Sequence, residues 1–536
     1  MSSDANMRYD RQVRLWGEEG QASIEAATVC VLGASALGTE TLKSLVLAGV
    51  HSFCIVDDAI VEPADVGNNF FLDEDDVGKS RSQATIDKLK EMNPAVSGLF
   101  LNVAPAALDD NQLAQLAKCS VMVGTNLPQE FEAFVASYMY SLGVPFISAK
   151  AFGLVGEVHV CVREHTIANS HDENPRPDLR LDVPFPQLVD MVEETRLDDL
   201  TPAQLHHTPY ILLYFKALEQ FRKDHRNPDA FPNNYTQRKQ IQEIIWAMRR
   251  PNESGSLDSE NFDEAKTSIT RSFLRTTIPQ AVKDILADEA CGTSSQPFWI
   301  ICEALRRFSE DNDGLLPLRG TLPDMTSDSQ RYTRLAQIFH DRAQTEADEV
   351  YRITKQVEKE RGIGDVISQE MCYRFCKNAD RIRVQRGEPW DFDRHISTLI
   401  RRIKEMRDCE DAETQRIDGA VWLLVLHAAF KFQREKGRFP GTNGVPCPID
   451  TFDLQQRVES LIRMSDESVE KILPRIPMDA VKEMCRFGAS ELHVVASFVG
   501  GITAQEVIKL ATNQYLPIDN TLLFDGLTQN ATTFRL

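Results

Sequence analysis

Residues 28–57 constrain the fold more than any other stretch of this chain. Thr28-Val29-Cys30-Val31-Leu32 is a continuous apolar run of strand length, and the segment after it sets Leu37, Leu42, Leu45 and Val46 at helical spacing. A second apolar run, Ser52-Phe53-Cys54-Ile55-Val56, ends on Asp57. Strand, glycine loop, helix and strand in that order predict a βαβ unit. A carboxylate about twenty residues beyond the loop is where a dinucleotide fingerprint holds a ribose. The loop, Gly33-Ala34-Ser35-Ala36-Leu37-Gly38, keeps its outer glycines but has Ser35 in the middle. A Cβ there obstructs the approach of a phosphate to the backbone. The expectation is a nucleotide scaffold that has lost part of its chemistry.

Alternation of strand and helix patterns continues to about residue 165. Helices are predicted over 80–92 and 128–142, and strands over 99–103, 120–124 and 145–149, which argues for a parallel, doubly wound α/β sheet. Residues 154–163 alternate, as an added strand would. From 166 to 480 long charged helical patterns take over, among them 298–310, 330–361 and 421–436. After 480 the texture reverts: 489–512 is an apolar helix carrying Ala496, Ser497, Gly500, Gly501 and Ala504, followed by a strand over 515–524. The predicted organisation is therefore a domain begun by residues 1–165, interrupted by a mostly helical insertion over 166–480 and completed by 481–536.

Composition excludes some classes of partner. A net charge of −21 opposes nucleic-acid binding, which relies on clustered Lys and Arg. No stretch approaches eighteen uninterrupted apolar residues and no signal peptide is recognisable, so neither membrane insertion nor secretion is expected. The eleven cysteines lie mostly in apolar segments, as suits reduced core thiols, and the expected location is cytosol or nucleus. Cys372 and Cys376 lack a second pair at zinc spacing, and His206-His207 precedes a helix start at Thr208-Pro209, so no metal site is expected. Near the N-terminus, Tyr9, Val13 and Trp16 fall on one face of a short helix, with Arg11, Arg14 and Glu18 on another.

Several colinear segments carry a family resemblance. Residues 9–17, the loop 33–40, Gly67-Asn68-Asn69-Phe70-Phe71, Val77-Gly78-Lys79-Ser80 and Phe152-Gly153-Leu154-Val155-Gly156 together resemble the adenylation domains of activating enzymes for ubiquitin-like proteins. Later segments, including 316–325, 437–441 and 485–489, narrow the likeness to the non-catalytic halves of the heterodimers that serve the Nedd/Rub modifier. The resemblance implies a Rossmann-like, ThiF/MoeB-like adenylation fold, with the helical insertion standing where active relatives carry a catalytic-cysteine domain.

Acyl adenylation builds charge on the α-phosphate of ATP as pyrophosphate departs, so a working site supplies cations and usually magnesium. Compared with active members of the family, this chain retains Asp57 but has Asn68 at the arginine position. Arg81 is nearest to the lysine position, and Gly124-Thr125-Asn126 stands where a magnesium-binding Asp belongs. The resemblance therefore implies a vestigial loop (Gly33, Ser35, Gly38, Asp57) with no cofactor or metal of its own, and ATP and Mg2+ in a partner's site. No Pro-x-Cys-Thr segment occurs in the insertion, and Cys291 is read as a loop thiol rather than a nucleophile. Arg11 matches a family arginine that reaches across the dimer toward the partner's triphosphate. The implied partners are a catalytic subunit, the Nedd/Rub modifier and, through the complex, a conjugating enzyme. The alternatives are the equivalent SUMO subunit, an autonomous adenylyltransferase or dehydrogenase, and a scaffold outside ATP chemistry.

Overall fold

The computed structural model describes residues 8–171, 176–251, 255, 257, 260–406, 417–442 and 447–536. The chain divides into two compact units, residues 1–167 with 384–536, and residues 168–383.

The first unit contains the βαβ start: β1 (Thr28–Leu32), the helix Ala36–Ala48 and β2 (Ser52–Val56). β3 (Ser97–Leu101), β4 (Val121–Thr125), β5 (Phe146–Phe152) and β6 (Val155–Cys161) follow. β7 (His165–Ile167) and β8 (Arg383–Gln385) form a separate ribbon, and β9 (Thr521–Asp525) and β10 (Asn530–Phe534) return to the main sheet. Its order is β10-β9-β6-β5-β4-β1-β2-β3. The five strands from β3 to β5 run parallel, while β6, β9 and β10 pair antiparallel, so the sheet is mixed. The unbroken apolar run of β1 has a direct cause. Val29 and Val31 join the core on one face and Cys30 and Leu32 the core on the other, as in a strand covered by helices on both sides.

The C-terminal helix, His493–Thr512, is long and apolar enough to span a bilayer, but half of its most apolar stretch is buried within the fold. Val495, Ala496, Val499 and Ala504 enter the same core as β1 and the helix Ala36–Ala48. Gly500 permits that approach: a Cβ there would lie 3.0 Å from both the Glu40 Cβ and the Thr41 backbone nitrogen. Gly501, by contrast, faces open space.

Two expectations are corrected. The helical insertion does not run to 480; the chain rejoins the first unit at Val384. Ile396, Leu399, Trp422, Leu426 and Val481 share a core with Phe152 and Val155 of the sheet and with Leu523 and Phe534 of β9 and β10. Helical texture does not reveal which core a helix covers, and here the helices Phe392–Glu405 and Gly419–Lys436 cover the sheet. The last strand also starts later than predicted, at Thr521, because 515–520 is irregular.

Beside that core lies a buried polar cluster. The Lys150 ammonium contacts Glu132 at 2.9 Å and Glu157 at 3.1 Å, and Ser148 donates to Glu132. Burial alone would lower the Lys150 pKa, yet the two carboxylates hold it up. His159 bonds the Thr521 hydroxyl at 2.7 Å and packs against Trp390 and His395. Burial pushes the His395 and His427 imidazoles down to about 4; for His427, Glu157 opposes the shift and Lys150 adds to it.

The second unit, residues 168–383, is helical. The helices Pro186–Glu194, Tyr210–Asp224, Tyr235–Ala247 and Glu260–Ser272 build a core around Leu188, Tyr214, Phe262 and Phe273, joined by Phe339 of the long helix Ser329–Glu360.

Two outcomes follow from this packing. Gly500→Leu should destabilise the protein by roughly 1–3 kcal/mol in urea melts, the cost of overpacking, whereas Gly501→Ala should be neutral or better. Acid should also weaken the fold through its histidines. The unfolded imidazoles take a proton near 6.5 and the folded His395 and His427 only near 4, so the unfolded chain binds more protons between these values. Stability is full above 6.5 and falls as pH drops toward 4, by at most about 1.4 kcal/mol per pH unit per histidine. A His395→Gln, His427→Gln variant should show a shallower slope of unfolding free energy against pH over that window; an unchanged slope would contradict the assignment.

Candidate functional site

The phosphate loop joins β1 to the helix Ala36–Ala48. Gly33 sits at φ +105°, and a Cβ there would lie 2.6 Å from the Thr125 hydroxyl; a Cβ on Gly38 would lie 2.2 Å from the Gly33 carbonyl. Both glycines are required by the turn itself, whatever the loop binds. Ser35, at the position a phosphate-binding loop leaves bare, precedes the helix with its backbone extended. The Thr125 hydroxyl donates to the carbonyls of Leu32 and Gly33 at 3.1 Å and ties the loop to β4.

Asp57 lies at the end of β2, as its spacing predicts, but its oxygens are engaged within the chain. One accepts the Ala34 amide at 2.7 Å and both Nε and Nη2 of Arg81 at 3.0 and 2.8 Å, and the other accepts the Ala59 amide at 2.8 Å. Arg81 also donates to Asp65 at 3.0 Å. Arg81 is thus folded back onto Asp57, its Nε and Nη2 converging on one carboxylate oxygen in a charge-assisted pair. Asn68 ends the short helix Pro63–Asn68, while the buried Asn69 next to it donates to the Thr39 hydroxyl at 3.0 Å and accepts the Phe71 amide at 3.0 Å.

The structure adds a residue to this site that sequence spacing did not reveal. Glu491 accepts the Leu37 amide at 2.9 Å, and its other oxygen accepts the Asn126 side-chain amide at 2.6 Å. The first amides of a helix have no partner within it and carry the positive end of its dipole, which makes them a natural anion site. Here a carboxylate from the same chain fills that place. Burial pushes the Glu491 carboxyl upward, opposed by the Leu37 amide, Ser35 and Asn126. Asn126, just after β4, also accepts the Ala151 amide at 3.0 Å and so anchors Glu491 to β5. Gly153, at φ +58°, donates its amide to the Ser490 carbonyl at 2.9 Å, which seats the backbone that delivers Glu491. Nothing local marks Glu491: it lies 454 residues beyond Leu37, and its only sequence cue is an acidic residue just ahead of an apolar helix.

Arg11 stands apart from this cluster. Its helix, Asp10–Ala26, breaks at Gly17 (φ 74°, ψ 168°) and docks through buried Tyr9 and Trp16. The Tyr9 hydroxyl accepts from Asn93 at 2.9 Å, and the Trp16 ring meets Tyr515 edge-on at 5.2 Å. Arg14 pairs with Asp10 at 2.8 Å. Arg11 is exposed and makes no hydrogen bond or ion pair to another described residue.

The thiols and histidines singled out in the sequence have local partners. Cys291 is buried, with Sγ 3.2 Å from the Ile285 carbonyl, a poor position for attack on an incoming acyl group. His206 and His207 bond the carbonyls of Arg250 and Ala203 at 3.0 and 2.9 Å. No group of three or more metal-ligating side chains occurs among the described residues.

Comparison with known proteins agrees with this geometry. The ThiF family profile matches residues 9–536. The chain is 57% identical to a NEDD8-activating enzyme E1 regulatory subunit of Caenorhabditis elegans, with 99% of each chain covered. It is 35% identical to the Danio rerio protein of the same name, covering 99% of this chain and 98% of that one. To the AXR1 regulatory subunit of Arabidopsis thaliana it is 31% identical, covering 99% and 96%. A phosphate loop on a mixed α/β sheet, closed by its own carboxylate, thus accompanies likeness along the whole length, and the chain belongs to the ThiF family and, within it, to the NEDD8-activating enzyme E1 regulatory subunits.

Proposed function

We propose that this chain is the non-catalytic half of a heterodimeric activating enzyme for the ubiquitin-like modifier NEDD8. In this reading it binds no nucleotide or metal itself and supports adenylation and thioester formation by a catalytic subunit that holds ATP and Mg2+. The observation that carries the reading is Glu491 on the Leu37 amide: the place of a phosphate is taken by a carboxylate, which repels one. The Asp57–Arg81 pair acts in the same direction, engaging the carboxylate at the ribose position and a cation beside the loop. The buried Cys291 leaves the helical unit without an accessible thiol at that position.

Arg11 has the opposite character. It stands on a docked helix, exposed and without a partner among the described residues, so a guanidinium is available to a second subunit. Placed at the partner's triphosphate it would stabilise charge as pyrophosphate leaves, by electrostatics alone. The modifier and a conjugating enzyme then meet the chain within the complex, in the cytosol and nucleus, and its net charge of −21 opposes nucleic acid as a partner. The equivalent SUMO subunit and an autonomous adenylyltransferase or dehydrogenase are not favoured, since the relatives named above are NEDD8-activating enzyme subunits.

Two measurements test the reading. The isolated chain should give no ATP–pyrophosphate exchange with NEDD8 and Mg2+, and the reconstituted heterodimer should; exchange by the chain alone would refute a non-catalytic role. Arg11→Glu in the heterodimer should slow adenylate formation by about 100-fold, the scale for losing one preorganised charge-stabilising donor, with the dimer intact by gel filtration. An unchanged rate would remove Arg11 from the chemistry.

A further inference from the structure

Within residues 168–383, a half-open cleft of about 120 Å³ is lined by four pieces of chain. These are the segment 176–181, the end of the helix Glu260–Ser272 with the loop after it, the loop 315–319 and the end of the helix Gln369–Lys377. A second cavity of about 280 Å³ shares Arg176, Arg271 and Arg319 with the first and continues past Tyr210, Ser268 and Arg381. Six cations line the first cavity, Arg176, Arg180, Arg271, Arg275, Arg319 and Lys377, against two carboxylates, Asp178 and Asp380. The whole chain carries 59 basic and 80 acidic side chains, so this wall reverses the balance of the protein around it.

Internal structure accounts for part of this charge. Asp178 accepts from Arg180 at 2.9 and 3.2 Å, Arg180 donates onward to the Leu316 carbonyl at 2.8 Å, and Asp380 accepts from Arg319. Both carboxylates are therefore engaged. Arg271 is engaged within the chain, whereas Lys377 stands in the last turn of its helix, where a cation offsets the dipole by only a few tenths of a kcal/mol to about 1 kcal/mol. Arg275 lies over the Phe231 ring at 5.2 Å, on a loop fixed by Asp182, which accepts the Thr276 amide at 2.8 Å and the Thr276 hydroxyl at 2.6 Å. The Arg176 side chain pairs with no described carboxylate. Cations gathered on a concave wall repel one another and focus a positive field into the cleft. A bound anion relieves that repulsion.

The donor set narrows the ligand. Guanidinium forks match the oxygens of phosphoryl groups in pairs, and the cations approach from four separate segments of chain. The two half-open clefts, of about 120 and 280 Å³, are each smaller than usual ligand pockets, which suits a compact molecule rather than a length of polypeptide. We propose that this cleft binds a compact polyphosphate, a small anion bearing two or more phosphoryl groups.

The test is calorimetric titration of the full-length chain with inorganic tripolyphosphate at about 50 and 150 mM salt, where screening differs. The expected result is one site per chain, weaker at the higher salt. Arg176→Glu combined with Lys377→Glu should weaken it at least about tenfold, and the milder Arg176→Gln, Lys377→Gln pair should give an intermediate loss with an unchanged melting temperature. If the charge-reversed variant does not fold, the Gln pair decides. Absence of binding at both salts, equal affinity in the variants, or tighter binding of a Glu-rich peptide of the same charge would each overturn the proposal.

Discussion

The open amides at the start of the helix Ala36–Ala48 are the constraint on which the nucleotide-like half of this protein is built. A helix that begins in the interior, one short loop after a buried strand, cannot leave its first N–H groups without acceptors. Nucleotide-binding members of this architecture satisfy them with phosphate. In this chain Glu491 meets the Leu37 amide of the helix and Asp57 meets the Ala34 amide of the loop before it, so both are answered by carboxylates of the same chain. Each carboxylate is in turn held by a fixed donor, Glu491 by Asn126 and Asp57 by Arg81. The same network that stabilises the loop is what, in the function proposed above, closes it to a ligand.

That closure depends on the C-terminal return of the chain. Glu491 can reach Leu37 only because the helix His493–Thr512 packs against the helix Ala36–Ala48, with Gly500 allowing the two backbones to approach. β9 and β10 then extend the sheet beyond β6 and complete the face onto which the helices Phe392–Glu405 and Gly419–Lys436 fold. Buried charge is tolerated in this region because it is paired: Lys150 is flanked by Glu132 and Glu157, and His159, His395 and His427 stay neutral.

Arg11 and the cationic cleft differ from this closed site in one physical respect. Asp57, Arg81 and Glu491 have their charges answered inside the chain, whereas Arg11 and Arg176 pair with no described carboxylate. Charge that no described carboxylate answers, held on an ordered scaffold, is available to other molecules.

The sequence by itself determined the strand–loop–helix–strand start, the position of Asp57 at a strand end, the docking of Tyr9 and Trp16, and the return of the C-terminus to the sheet. These rest on short-range periodicity and on glycines whose turns admit no side chain, such as Gly33 and Gly38. The colinear segments also made the family legible. Tertiary structure alone decided that Asp57 and Arg81 face each other, that Glu491 fills the phosphate place, that the helices after Val384 belong to the sheet, and that six cations share one wall. Each of these joins side chains or segments far apart in the chain, and periodicity records which face of an element is apolar but carries no information about which distant element will cover it.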